Sequence, residues 1–512
     1  MSSPEIWLSV IALVLPLVPI FLMGVAALVA WFSAVCTTKL WRSFQVLSWT
    51  ALVFTGFAML SAATVSGLSG VIKPTLFGLI LASLVQLLST VIGGFSARYL
   101  QGDVQGNLGQ RRYIGALAAV LAAVHLLLLA DHWILLIGAW AAVGIALKHL
   151  LCFYPDRPFA LLAAHKKHIA DRLADALLIT AAALAWFEVG SGSLSMLSEH
   201  IARQGMSTGL QISAVAVVLA VIVRTALLPV HGWLIQVMEA PTPVSALLHA
   251  GVINLGCFVL IRFSAMLENA SIARWLLVIF GLATAVLAGM VMLTRISVKV
   301  RLAWSTVAQM GFMLLECGLG LYTLAALHLV GHSLYKAHAF LNASDIVRQT
   351  RLRSMHSASL PTVSSLFVAP VLTSLLTISL VSLSGNWFSY TPWPWWWSMV
   401  LGLAWAPLLW LPTNCADATS RTKPVFFGLL MIAGLTFAAM LGHALPLGIQ
   451  DSPHLGLGLL ALAGMTALYV GQATLQHQPQ YVSRWRRLSY AGFYIDEAYT
   501  RLALRVFPIK LS

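Results

Sequence analysis

Apolar runs of about 20 residues, separated by short polar breaks, recur from one end of the chain to the other. A run of that length crosses a hydrocarbon core about 30 Å thick as a single helix. Read between the breaks, the pattern predicts about 15 spans, near 6–33, 44–68, 74–95, 112–130, 132–152, 170–190, 209–228, 243–263, 272–294, 300–318, 322–345, 360–383, 395–412, 424–446 and 453–475. The expected class is therefore all-α and polytopic, with a transmembrane domain over 1–475. Residues 476–512 mix bases with aromatics and suit an amphipathic helix lying in the membrane interface. Pro229, Pro241 and Pro243 interrupt the pattern within 221–249, and Pro370 lies inside 360–383. Each proline frees backbone groups that only buried protein or water can satisfy at membrane depth, so broken helices are expected there.

Composition removes the soluble alternatives. The 512 residues are 60% hydrophobic and only 9% charged, against about a quarter charged in soluble domains. No polar stretch is left for a soluble catalytic domain. The excess of 30 basic over 16 acidic residues, net +14, could suggest nucleic acid in a soluble protein. Here the bases gather in alternate short loops, at Lys39 and Arg42, at Arg98, Arg111 and Arg112, and at Arg157, Lys166 and Lys167. The later groups are Arg295, Lys299 and Arg301, then Arg348, Arg351 and Arg353, then Arg421 and Lys423. By the positive-inside rule these loops are expected on the cytoplasmic side, with the N-terminus outside and the C-terminus inside. Arg262 and Arg274 fall on the wrong side. The stretch NWFSYTPWPWWW over 386–397 reads as an interfacial aromatic belt. Cys36, Cys152, Cys257, Cys317 and Cys415 lie too far apart to encode a disulfide framework, an iron–sulfur motif or a zinc motif. The opening MSSPEIW has an acid where a signal peptide wants a base, so the first run is expected to be a retained helix.

An ionisable side chain inside a span is costly and by default marks an ion path. The candidates within spans or at their ends are His125, Lys148, His149, Asp175, Arg224, His249, His328, His332, Lys336, His338 and Asp345. Lys148 and His149 suit bases that snorkel to the surface. In HLVGHSLYK, His328, His332 and Lys336 recur at i, i+4 and i+8 and so share one helix face. Such a row can relay protons, because neutral imidazole both accepts and donates. Other readings of it are a zinc pair without a third ligand, haem ligation between helices, and core histidines satisfied by neighbours. The preferred reading assigns no metal and no cofactor.

The segments RTALLPVHGWL from Arg224, MEAPTPVSALLHAGVI from Met238, SVKVRLAWSTVAQMGFM from Ser297 and HLVGHSLYKAHAFLNASD from His328 resemble the antiporter-like membrane subunits of respiratory NADH:quinone oxidoreductase and of Mrp antiporters. The likeness is best over 110–350, within a core of 110–383. It implies two inverted helix bundles, each with a broken helix and a half-channel for protons. It also implies roles for particular residues. Arg172 and Asp175 match that family's Arg and Asp, Arg224 stands where the family has its proton-carrying Lys, and His249 matches the next channel position. His328, His332 and Lys336 match the connecting polar axis. Pro229, Glu239, Pro241, Pro243 and Lys299 fall in the helix-break and structural motifs.

The departures are informative. After Trp140 the family usually places a Glu, and here Ala141 stands there. Arg224 keeps its charge and cannot pass a proton on at ordinary pH. The channel Lys of the second half is missing after Ser384. The ending GFYIDEAYTRLALR resembles the branch formed by membrane subunits of bacterial inorganic-carbon accumulation complexes. That branch implies a DabA-like zinc-containing peripheral partner with a site like a β-carbonic anhydrase. No residue here could hydrate CO2 alone, so this chain is expected to conduct protons or another cation and not to be an enzyme. A pumping subunit of the quinone-reducing complex, a Mrp-type antiporter subunit and a purely structural anchor are the alternatives.

Overall fold

A computed structural model describes residues 14–33, 35–61, 70–343, 346–348, 360–384, 393–413, 418–477 and 483–508. The helices run in chain order as α1 Val18–Phe32, α2 Thr37–Leu60, α3 Leu76–Tyr99, α4 Gly106–Leu129, α5 Trp133–Leu151, α6 Pro158–Val189 and α7 Leu194–Gln204. Next come α8 Thr208–Arg224, α9 Gly232–Gln236, α10 Thr242–Ala250, α11 Leu255–Arg262, α12 Ser264–Glu268, α13 Ser271–Thr294, α14 Val298–Leu319 and α15 Tyr322–Leu341. The last are α16 Val363–Ser384, α17 Trp395–Trp405, α18 Ala418–His443, α19 Leu455–His477, α20 Ser483–Tyr490 and α21 Ile495–Val506. No strand forms among the described residues. Helices dominate because each closes its own backbone bonds, and hydrocarbon offers no other partner. Among the described residues 11 helices are long and apolar enough to cross a membrane. The other predicted spans fall on α8 and α17, which are shorter, and on α6 and α15, which carry the polar side chains discussed below.

The chain divides into two compact units. The first comprises Met1–Ala273, Leu329–Leu341 and Asp496–Ser512, and the second Arg274–His328 and Asn342–Ile495. In the first, Ser193 and Ser207 cap α7 and α8 by accepting from Met196 N and Leu210 N at 3.3 and 3.1 Å. Gly190, at φ +69°, ends α6 in the left-handed conformation that L residues avoid. The predicted span 209–228 stops earlier, at Arg224, because Ala226 takes φ +56° and Pro229 follows. The chain re-enters helix at α9, and Pro241 and Pro243 start α10. A second break follows Ala250, where Val252–Asn254 tighten into a 3-10 turn before α11.

The basic loop expected at Arg157, Lys166 and Lys167 is largely helix. The α6 helix begins at Pro158, a residue preorganised for a first turn, and buries both lysines. Arg262 and Arg274 are likewise not loop charges. Arg262 Nη2 meets Asp131 Oδ1 at 2.5 Å, and Arg274 donates to Gly318 O and Ser452 O at 3.0 and 2.9 Å. Bases held inside the protein by fixed acceptors carry no topological signal.

The second unit corrects two expectations. Trp393, Trp396 and Trp397 pack with Val400, Met440 and Leu457 in its core instead of forming a belt, and only Trp395 among these tryptophans is exposed. Residues 396, 397 and 400 share one face of α17, which is how helical spacing turns an aromatic run inward. Pro370 does not break its helix, since α16 runs unbroken through it. The carbonyl deprived of its partner, Leu366 O, instead accepts from the Tyr469 hydroxyl at 2.7 Å, and Tyr469 Oη accepts from Trp410 Nε1 at 2.9 Å. Asp345, Arg351, Arg353, Cys415, most of the segment 386–397 and the first residues of the chain lie outside the described residues.

Candidate functional site

The first unit holds a charge cluster around the end of α8. On α6, Lys167, Asp171 and Asp175 recur at i, i+4 and i+8 and face Arg224. Arg224 Nη2 lies 3.0 Å from Asp175 Oδ1, and Nε lies 3.4 Å from Asp171 Oδ1. Lys167 Nζ donates to Asp171 Oδ2, and the half-exposed Arg172 reaches Asp175 Oδ2 at 3.1 Å. The four inward groups are two bases and two acids, so the buried charge balances. The Arg224 guanidinium also stands 4.7 Å over the Trp140 ring. Ala141 follows Trp140 and offers no charge, and Arg224 takes its countercharges from α6. Gly144 supplies the room, because a Cβ there would lie 2.6 Å from Asp171 Oδ2. Beside these groups is a cavity of about 20 Å³ lined by Trp140, Lys167, Asp171, Arg224 and Trp233, just above what one water needs.

Just before the second break, His249 sits in the last turn of α10, fully buried and stacked on Phe340 with ring centroids 4.6 Å apart. Neither of its nitrogens has a hydrogen-bond partner among the described residues. Asn254 closes the break by donating to Ala250 O at 3.0 Å and to Ser333 Oγ at 2.8 Å. His332 and Lys336 lie on the same helix as Ser333 and are buried, the Lys completely. Lys336 Nζ stands 5.5 Å from the Tyr335 ring centroid.

His328 belongs to the second unit. Its Nδ1 lies 3.0 Å from Glu316 Oε2 and its Nε2 2.7 Å from Gln309 Oε1. Neutral imidazole donates from only one nitrogen, so when it is neutral one of the two contacts needs the partner to donate, either through the Gln309 amide or through a protonated Glu316. The row His328, His332 and Lys336 thus keeps one helix but three different surroundings.

The remaining predicted positions separate cleanly. His125 is a satisfied core histidine whose Nε2 pairs with Gln86 Oε1 at 2.9 Å, with Gln86 donating onward to Ser48 Oγ at 2.8 Å. Lys148, His149 and His338 are exposed. Glu239 is a half-exposed residue 3.8 Å from Arg157 Nη1. Lys299 lies in the first turn of α14. Sequence reasoning missed Asp171, Lys167, Asn254 and Glu316. The first two carried a signal in the spacing of KKHIADRLAD, and Glu316 in being an acid inside the apolar run MLLECGL.

Residues 130–409 match the family described as NADH:quinone oxidoreductase/Mrp antiporter, TM. Over 440 residues the chain is 38% identical to the probable inorganic carbon transporter subunit DabB of Hydrogenovibrio crunogenus, covering 85% of this chain and 83% of that protein. It is also 38% identical to the probable inorganic carbon transporter subunit DabB2 of Halothiobacillus neapolitanus, covering 85% and 80%. Among solved structures, a chain of the Mrp complex from Dietzia sp. matches 96% of this chain and 59% of its own length, at 20% identity and TM-score 0.66. At that identity the likeness is one of fold.

Proposed function

Because the chain belongs to the NADH:quinone oxidoreductase/Mrp antiporter membrane family, we propose that it is the ion-conducting membrane subunit of an inorganic-carbon uptake complex. The single observation that carries this reading is the similarity to DabB subunits along most of both chains. Protons, or another cation, run down their gradient through the polar groups, and a DabA-like zinc-containing partner performs CO2 hydration. The termini take the orientation that the basic loops predict, in a bacterial inner membrane.

The buried groups support a division of labour. Arg224 is a fixed charge, since a guanidinium holds its proton and this one is held by two carboxylates. Proton transfer falls to side chains that can hold and release a proton, Lys336 with His332 one turn before it on α15 and His249 stacked on Phe340 of the same helix. An imidazole buried with neither nitrogen bonded is expensive in an apolar medium, which favours a working role for His249 over packing. His328 hands on through Glu316, whose carboxylate is in contact with it. A quinone-reducing role is disfavoured by Ala141 and Arg224, which replace the acid and the Lys of that pump's switch.

Isolating the protein from its native membrane tests this reading. A zinc-containing protein is expected to come with it, without NADH oxidation. NADH-oxidising subunits in the preparation would contradict it.

A further inference from the structure

The C-terminal motif GFYIDEAYTRLALR leads back to the helix break. Asp496, in the first unit, accepts from Lys166 Nζ through Oδ1 at 2.7 Å and from Gln236 Nε2 through Oδ2 at 3.3 Å. Thr500 Oγ1, one turn on, accepts from the same Nζ at 2.9 Å. The Lys166 side chain is 0% exposed, and a fully buried Lys is almost never found without a partner. Gly232, the first residue of α9, is where a Cβ would lie 1.4 Å from Asp496 Oδ1, so only glycine admits the carboxylate. The next residue on α6, Lys167, turns the other way to Asp171, which holds Arg224.

We infer that Asp496 is a positioning residue, clamping α21 onto Lys166 and α9 and thereby holding the Lys167 and Asp171 turn of α6 in register with Arg224. The consequence for transport rests on the proposed function, whereas the clamp itself does not. Removing one charge leaves the other buried and uncompensated, and an apolar pair of similar volume relieves this.

The test uses the full chain with its zinc-containing partner, in cells lacking carbonic anhydrase. Four proteins are compared with wild type, namely Asp496→Asn, Gly232→Ala, the double variant Lys166→Met with Asp496→Leu, and Gly138→Ala. The last is a control, since a Cβ at 138 meets nothing within 4 Å. One readout is the rate at which trypsin, in solubilised membranes, releases a C-terminal tag at the exposed Arg501 and Arg505. The other is carbon uptake per blotted protein. Asp496→Asn and Gly232→Ala are expected to speed tag release and cut uptake by about tenfold, with the double variant restoring both to within about threefold. Gly138→Ala should match wild type. If Asp496→Asn fails to accumulate, Gly232→Ala makes the same test without altering charge. Unchanged tag release, faster release with unchanged uptake, or a double variant as damaged as the single one would each overturn the inference. Absent uptake in wild type would sink the functional reading, leaving tag release to decide the clamp.

Discussion

Arg224 Nη2 stands 3.0 Å from Asp175 Oδ1, so the residue that closes α8 is tied to α6. Its charge is spent in holding two carboxylates. Arg224→Lys should therefore keep substantial uptake, because a cation remains beside the acids. Arg224→Ala should lose uptake, since it leaves two acids against Lys167. Full uptake by a normally abundant Ala variant would show that the charge is unnecessary.

Asp171 is the more critical of the two acids. It serves two buried bases, Lys167 and Arg224, whereas one of the two partners of Asp175, beside Arg224, is the half-exposed Arg172. Breaking a buried pair by removing one partner costs about 3–5 kcal/mol. Asp171→Asn should lower the melting temperature of the purified protein clearly more than Asp175→Asn does. Equal shifts would refute this ordering.

The hydroxyl of Tyr469 replaces the bond that Pro370 cannot make to Leu366 O. Tyr469→Phe should cost about 1–3 kcal/mol, the penalty of a buried acceptor left unsatisfied. In a Pro370→Ala background the helix supplies its own N–H, so the same change should cost much less. Thermal unfolding of the four proteins in this cycle measures the coupling, and strict additivity would contradict it.

Much of the fold is legible in the sequence, because hydrocarbon leaves the backbone no option but helix and so makes apolar run length decisive. Arg224 and Asp175 were each legible as ionisable residues inside apolar spans. Lys166 and Lys167 were misread as loop bases, since local charge says nothing of an acid one turn ahead or 330 residues away. Pro370 misled for a related reason. The rescue of its helix comes from Tyr469, distant in the chain, and no local pattern announces it. Trp396 and Trp397 show the limit of composition, because a tryptophan cluster suits an interface and a core equally until helix phase is known.

The second-unit contact of His328 with Glu316 gives a further expectation. Glu316→Gln keeps a hydrogen-bonding group beside the imidazole but one that cannot take up or release a proton. Uptake should fall while membrane abundance stays normal, and His328→Ala should give a defect no deeper when combined with it. Additive losses in the double variant would show that the two residues act separately.

The most direct test of the account is gradient-driven carbon uptake by Lys336→Ala, measured with the zinc-containing partner in cells lacking their own carbonic anhydrase. Ala is the best helix former, and the change takes a costly group out of the membrane interior, so the protein should assemble normally. His332→Ala should be milder, because a water can bridge one vacated turn. Lys336→Ala should reach normal abundance on the blot with uptake abolished, and wild-type uptake at that abundance would remove Lys336 from the proton path.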